Sequence, residues 1–113
     1  MRYVLLVCDD ESVELTPEEV SSRYAAYTAC EDEMRARGVL VGRERLRPTS
    51  ASTTLRVRDG QLIIADGPFA ETKEQIAGYF VVDCRDLDEA IELAQLIPAL
   101  HHGMIEVRPA WEM

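Results

Sequence analysis

Residues 3–8 read Tyr-Val-Leu-Leu-Val-Cys, a continuous apolar run that is rich in β-forming residues. Such a run is typical of a central strand that is covered on both faces. An acidic link leads from it to Thr16-Pro17-Glu18-Glu19, where Thr16 can cap a helix, Pro17 suits the first turn and Glu19 completes a capping box. The sequence therefore predicts a strand followed closely by a helix.

The predicted first helix ends at Gly38, which suits the left-handed position after a helix. Its apolar positions recur at helical spacing and define an inner stripe, formed by Val20, Tyr24, Tyr27, Cys30 and Met34. We expect these side chains to face the core. A second strand is predicted over residues 39–46, with Gly42 allowing a bulge.

The middle of the chain carries a hairpin signal. Residues 53–58 and 61–65 are strand-like and are separated by Asp59-Gly60, a pair of residues that favours a tight hairpin turn. Residues 79–84 return to a strand, and Asp86 is the predicted cap of a second helix. The apolar positions of that helix are Leu87, Ala90, Ile91, Ala94 and Ile97, and a last strand is predicted over residues 104–108.

The order of elements is β-α-β, an inserted hairpin, and β-α-β again. This order predicts an α+β, ferredoxin-like sandwich in which two helices cover one face of an antiparallel sheet. The other face would leave apolar side chains in water, so we predict a homodimer in which the helix-free faces meet.

Composition narrows the class of protein. The 113 residues suit one domain, 1–113, and the net charge of −9 argues against nucleic acid or an anionic membrane as the main partner. The three cysteines have no metal-binding spacing, so we expect free thiols, no metal and no cofactor. No signal peptide or membrane span is evident, and a cytoplasmic location is expected.

The candidate site is the loop Asp66-Gly67-Pro68-Phe69-Ala70-Glu71-Thr72-Lys73-Glu74, which directly follows the hairpin. Asp66 is either a general base or a side chain that holds the turn, and the turn role is favoured. Phe69 either lines a ligand pocket or plugs the core, and Pro68 is a further candidate for ligand contact. Lys73 either orients a carboxylate or polarises a carbonyl of a ligand, or it forms a surface ion pair with Glu71, Glu74 or Asp66.

Three further residues complete the candidates. Thr72 and Gln75 have capping-box spacing, so Thr72 is expected to begin one helical turn rather than act as a nucleophile, although its hydroxyl could contact a ligand. Tyr27 is expected in the core, with its hydroxyl within reach of a cleft edge. His102 is a candidate for acid–base chemistry, while a place at a solvated helix end explains at least one of His101 and His102.

The loop, together with Gly78-Tyr79-Phe80, Asp86-Leu87-Asp88-Glu89-Ala90 and Glu106-Val107-Arg108-Pro109, resembles the DGPF-type branch of the YCII-related proteins. The resemblance covers nearly the whole chain. It implies a ferredoxin-like fold related to the dimeric α+β barrels, with a cleft between sheet and helices.

In the wider group a His-Asp pair has been proposed as catalytic, and a dehydrochlorinase that acts on a chlorinated hydroxyquinol carries this domain. This chain has Tyr27 about where the family's His lies and Ile97 before Pro98 where its Asp lies. Two hypotheses follow from the loop and the resemblance. One is a lyase or isomerase acting on a small anionic or aromatic compound, and the other is a non-catalytic ligand-binding or regulatory module linked to extracytoplasmic-function sigma factors.

Overall fold

A computed structural model gives the fold and describes residues 1–112. These residues form six strands, two α-helices and two short 3-10 turns. The strands are Arg2–Asp9 (β1), Leu40–Arg45 (β2), Thr53–Arg58 (β3), Gln61–Asp66 (β4), Gln75–Asp83 (β5) and Met104–Pro109 (β6). The helices are Pro17–Ala36 (α1) and Leu87–Ala94 (α2), and the 3-10 turns are Thr49–Ala51 and Pro98–His101.

The main sheet has four strands in the order β2-β5-β1-β6, and each pair of neighbours is antiparallel. The apolar run of β1 lies between β5 and β6, with Leu5 opposite both Phe80 and Val107. Both helices contribute to the one core that covers a single face of this sheet. The predicted α+β, ferredoxin-like arrangement is confirmed.

The ends of the helices follow the local sequence chemistry. Thr16 accepts a hydrogen bond from the Glu19 N–H at 3.1 Å, and Glu19 accepts one from the Thr16 N–H at 3.2 Å. Asp86 caps α2 by accepting from the Glu89 N–H at 2.9 Å. Gly38 has a φ of 70°, so the chain can leave α1 in the left-handed conformation that glycine favours. Each of these caps agrees with the prediction.

The inner stripe of α1 is shorter than predicted. Cys30 and Met34 are buried and Tyr27 packs at the edge of the core, whereas Val20 and Tyr24 are exposed. Arg23 contacts Asp9, the last residue of β1, so the turns of α1 before Arg23 extend past the end of the sheet. Helical periodicity identifies one face of a helix, but it does not tell where the opposing sheet ends.

Two further boundaries differ from the prediction. Strand β5 begins at Gln75 rather than at residue 79, and residues 67–74 contain no helical turn, so the predicted turn at Thr72 is wrong. Helix α2 ends at Ala94, and its buried side chains include Leu93, whereas Leu87 and Ile91 are exposed. Ile97 is buried just before Pro98, where the chain passes into the second 3-10 turn.

The hairpin of β3 and β4 forms a separate two-stranded sheet, which we call the arm. Asp59 and Gly60 both have positive φ, 50° and 76°, as expected for the tight turn predicted from this pair. Every residue of the arm's strands except Thr54 is exposed. The radius of gyration is 16.1 Å, against about 13 Å for a compact domain of this length, because the arm extends away from the sandwich.

Among residues 1–112, neither helix combines the length and the apolar character that crossing a membrane requires.

Candidate functional site

An open cleft lies where β1 ends, β5 begins and the arm joins the sandwich. It has a volume of about 470 Å³. Asp9 at the end of β1 pairs with Gln75 at the start of β5, and three connecting segments meet near this end of the sheet. The cleft is lined by Asp10, Glu11 and Ser12, by Thr49 and Ser50, by Gly67, Pro68, Glu71, Thr72 and Lys73, and by Gln75 of β5.

The turn after the arm is held by the backbone and by Thr54. The Gly67 N–H donates to the Ser52 carbonyl at 2.8 Å, and the Thr54 hydroxyl donates to the Gly67 carbonyl at 2.7 Å. Gly67 has a φ of 102°, a conformation that other residues rarely adopt. Within residues 1–112, the exposed Asp66 carboxylate neither accepts a hydrogen bond nor forms an ion pair, so Asp66 does not hold this turn through its side chain.

The rest of the loop is tied to itself. The Gln75 side-chain amide donates to the carbonyl of Ala70 at 3.0 Å and to that of Thr72 at 3.3 Å. The Thr72 hydroxyl donates to the Glu74 carbonyl at 2.6 Å. Phe69 is 75% exposed, so it neither plugs the core nor lines the cleft. Of the residues proposed for ligand contact, Pro68, Thr72 and Lys73 line the cleft.

Two carboxylates on the opposite wall are already engaged. Asp10 accepts hydrogen bonds from the Ser12 hydroxyl at 2.6 Å and the Ser12 N–H at 2.9 Å. These bonds, with a smaller contribution from Lys73, lower the pKa of Asp10. Glu11 accepts from the hydroxyl and the N–H of Thr49 at 2.6 and 2.8 Å, which joins the acidic link to the 3-10 turn before the arm.

Lys73 is the one lysine in the sequence and, among the residues that the structure describes, the one cation that lines the cleft. Within the described part of the chain its ammonium has no carboxylate at ion-pair distance. The predicted surface ion pair with Asp66, Glu71 or Glu74 is therefore not formed. The cleft thus combines a free ammonium with the carboxylate of Glu71 and the two engaged carboxylates of Asp10 and Glu11.

A second group of polar side chains, which we call the Asp9 cluster, lies next to the cleft. Its members are Asp9, Arg23, Tyr27 and His102. His102 Nδ1 lies 3.3 Å from Asp9 Oδ1, and an Arg23 guanidinium nitrogen lies 3.5 Å from Asp9 Oδ2. Asp9 Oδ1 also accepts the N–H of Asp10 at 2.8 Å, so one backbone unit connects the cluster to the wall of the cleft.

Tyr27 of α1 packs at the edge of the core and belongs to the Asp9 cluster. Burial raises the pKa of Tyr27, and the negative charge of Asp9 raises it further. The chain therefore places a His-Asp pair beside Tyr27, but its members come from the end of β1 and the link before β6. Neither of these positions corresponds to the two at which the resemblance places the family's pair.

The sequence predicts His102 and Tyr27 as candidates but does not single out Asp9. The signal for Asp9 lies in the topology, because β6 pairs antiparallel with β1 and the residues before β6 must lie beside the end of β1. Gly103 allows the close approach. A Cβ atom at Gly103 would lie 2.2 Å from the Cys8 carbonyl oxygen and 3.3 Å from Asp9 Cα.

The three cysteines are free and do not belong to either group. Burial raises the pKa of Cys30 to about 11 and also raises the pKa of Cys8 and Cys84. Such thiols are protonated at neutral pH and are poor nucleophiles. Residues 1–112 contain no group of three histidine, cysteine, aspartate or glutamate side chains that could hold a metal ion.

Comparison with known proteins places these features in a family. The model of the YCII-related domain matches residues 1–113. An uncharacterised protein of Rhizobium meliloti (strain 1021) is similar to this chain, with 40% identity over 113 residues. That alignment covers 96% of this chain and 91% of the relative. By the extent of both matches, the chain belongs to the YCII-related family.

Proposed function

We propose that the cleft binds a small organic molecule that carries one acidic group together with hydroxyl groups, such as a hydroxylated aromatic or aliphatic acid. The observation that carries this proposal is the ammonium of Lys73, which is unpaired within residues 1–112 and lies in a concave surface whose other described charged groups are carboxylates. An acidic group of the ligand would pair with Lys73. Its hydroxyls would donate to Glu71 and to the outer lone pairs of Asp10.

The charge of the cleft limits the ligand further. Of the described residues, three carboxylates and one ammonium line the cleft, so a ligand with several negative charges would be repelled. Two of these carboxylates are already bonded to Ser12 and Thr49, which leaves Glu71 as the carboxylate with most freedom to accept a ligand hydroxyl. A singly charged hydroxy acid or phenol fits this balance best.

The Asp9 cluster supports a catalytic form of this proposal, in which the protein is a lyase or isomerase. A histidine beside a carboxylate is suited to move a proton, and the carboxylate orients the ring and stabilises its charged form. The contact between Asp9 and His102 lies one residue from the cleft wall at Asp10. In this reading Lys73 binds the substrate, and His102 exchanges the proton.

A non-catalytic ligand-binding or regulatory module is the second candidate. It is favoured by the cleft itself, because its described lining contains no histidine or cysteine and binding by Lys73 needs none. A link to extracytoplasmic-function sigma factors would belong to this reading and is suggested by the family resemblance alone.

The assembly belongs to the same proposal. We expect a homodimer in which the helix-free faces of the two main sheets meet. The half-buried side chains of Val4, Leu6, Tyr79 and Val81 form an apolar stripe on that face, and a second copy would remove it from water.

A thermal-shift screen against small carboxylates, phenols and hydroxyquinols tests the binding proposal. Hits among monoanionic hydroxy compounds are expected, with a smaller shift in Lys73→Met than in the unchanged protein. Each hit is then incubated with the protein and with His102→Gln while product is followed by chromatography. Turnover that His102→Gln abolishes supports the enzyme, whereas binding without turnover supports the regulatory module. A screen without hits in any of these classes contradicts both.

A further inference from the structure

The arm carries an apolar face that nothing in the described chain covers. Leu55 lies opposite Ile64 and Val57 lies opposite Leu62, so these four side chains share one face of the hairpin. Their exposed fractions are 59% to 67%. An isolated two-stranded hairpin is marginally stable in water, and it needs a third partner to bury its apolar face. The apolar face of the arm is therefore free for a contact outside its own chain.

A second uncovered apolar surface lies at one end of the main sheet, on its helix-free side. Ile76 and Met104 flank Cys8 in the register of β5, β1 and β6, and both are more than 40% exposed. We call Cys8, Ile76 and Met104 the sheet-end patch. In the proposed homodimer the apolar stripe of one main sheet packs against the same stripe of the second copy. The sheet-end patch and the arm lie outside that contact, so the arm of one copy is free to contact the patch of the other.

We infer that the arm of each protomer docks on the sheet-end patch of a second copy, so that two arms are exchanged about the two-fold axis. This inference rests on the proposed homodimer and names the element that secures it. Each chain carries both an arm and a sheet-end patch. One reciprocal exchange therefore covers both arms and both patches, and it leaves no such surface for a third copy.

Area and charge both favour a second copy as the occupant. The arm face exposes on the order of 400 Å² of apolar surface, and with the sheet it approaches the roughly 800 Å² per partner of a stable complex. The arm is electrically neutral, since Arg56 and Arg58 balance Asp59 and Asp66, in a chain of net charge −9. A neutral arm is not repelled by another acidic copy, whereas an anionic membrane or nucleic acid would repel the acidic molecule as a whole.

The arm offers a matched pair of variants. Ile64 lies on the apolar face, whereas its neighbour Ile63 pairs with Arg56 on the opposite face, and both are exposed in the single chain. We expect Ile64→Glu to weaken dimerisation at least 100-fold in analytical ultracentrifugation and Ile63→Glu to change it less than about threefold. Circular dichroism verifies that both variants remain folded, which their exposure predicts.

The outcomes separate the inference from the proposal on which it rests. If the unchanged protein is a monomer at micromolar concentration, the homodimer and the exchange of arms are both overturned. The same holds if that monomer binds anionic vesicles, since the arm would then have another partner. If Ile64→Glu and Ile63→Glu both dimerise as tightly as the unchanged protein, the role of the arm is overturned while the homodimer stands.

Mixing a variant of the arm with a variant of the sheet-end patch tests where the arm docks. Ile64→Glu and Met104→Glu chains are each expected to form weak homodimers, but a mixed dimer retains one intact contact between arm and sheet-end patch. Equimolar mixing should therefore restore dimerisation by at least tenfold over either variant alone. A mixture no tighter than its components overturns docking of the arm on this patch.

Discussion

Replacing Gly103 by alanine tests the close packing that brings His102 beside Asp9. The added methyl would lie 2.2 Å from the Cys8 carbonyl oxygen and 3.3 Å from both the Ala99 carbonyl oxygen and Asp9 Cα. Ordinary contact begins near 3.4 Å, so backbone atoms at the end of β1 and the start of β6 must separate by about an ångström. Overpacking of this kind costs about 3 kcal/mol. That loss corresponds to a fall of about 13 °C in Tm for a chain of this length.

Gly42→Ala is the matched control, because a Cβ atom there meets nothing within 4 Å and Gly42 does not have a positive φ. We expect the control to change the free energy of unfolding by less than about 0.5 kcal/mol. Urea unfolding followed by circular dichroism measures both variants. In Gly103→Ala, the NMR signals of the Asp9 and His102 side chains should also move. Equal stability of the two variants would refute the packing described around Gly103.

Two further predictions concern stability. The free energy of unfolding should decline by about 2 kcal/mol between pH 9 and 11 because burial holds the pKa of Cys30 at about 11. The stabilisation is complete below pH 9, where the unfolded thiol is still protonated, and is lost as pH rises towards 11. Denaturation at several pH values should show that the free energy of unfolding declines less steeply with pH in Cys30→Ala than in the unchanged protein. Equal slopes in the two proteins would contradict this assignment. At the turn after the arm, Thr54→Val should cost about 1 kcal/mol through loss of its bond to the Gly67 carbonyl. Asp66→Ala and Asp66→Asn should each change stability by less than about 0.5 kcal/mol in the same unfolding assay, and a larger loss would mean that Asp66 supports the turn.

Much of the fold follows from local sequence chemistry. The capping box at Thr16, the cap at Asp86, the left-handed Gly38 and the turn at Asp59-Gly60 each depend on a few neighbouring residues. Together with the apolar strand runs, those signals predict the order of strands and helices. That order in turn predicts an antiparallel sheet covered by two helices. They could not show that Val20 and Tyr24 are exposed, because that depends on where the sheet ends beneath α1.

The site was only partly accessible from the sequence. A charged, turn-rich segment after a hairpin is unusual, so the sequence predicts Pro68, Thr72 and Lys73 as candidates, and all three line the cleft. The sequence places Asp10 and Glu11 in an acidic link without marking them as site residues, and Asp9 acquires its partner only when β6 pairs with β1. The contact of Asp9 with His102 joins residues 93 positions apart, and no local pattern encodes it.

Calorimetric titration of the best hit from the ligand screen tests most directly whether the cleft is a binding site that depends on Lys73. We expect Lys73→Met to weaken binding at least tenfold, a change of about 1.4 kcal/mol, while Tm stays near that of the unchanged protein. Lys73→Arg keeps the charge and should retain most of the affinity. Arg58→Met removes a charge from the arm, outside the cleft, and should leave affinity unchanged. Equal affinity in Lys73→Met and the unchanged protein would contradict the proposal and place any binding site elsewhere.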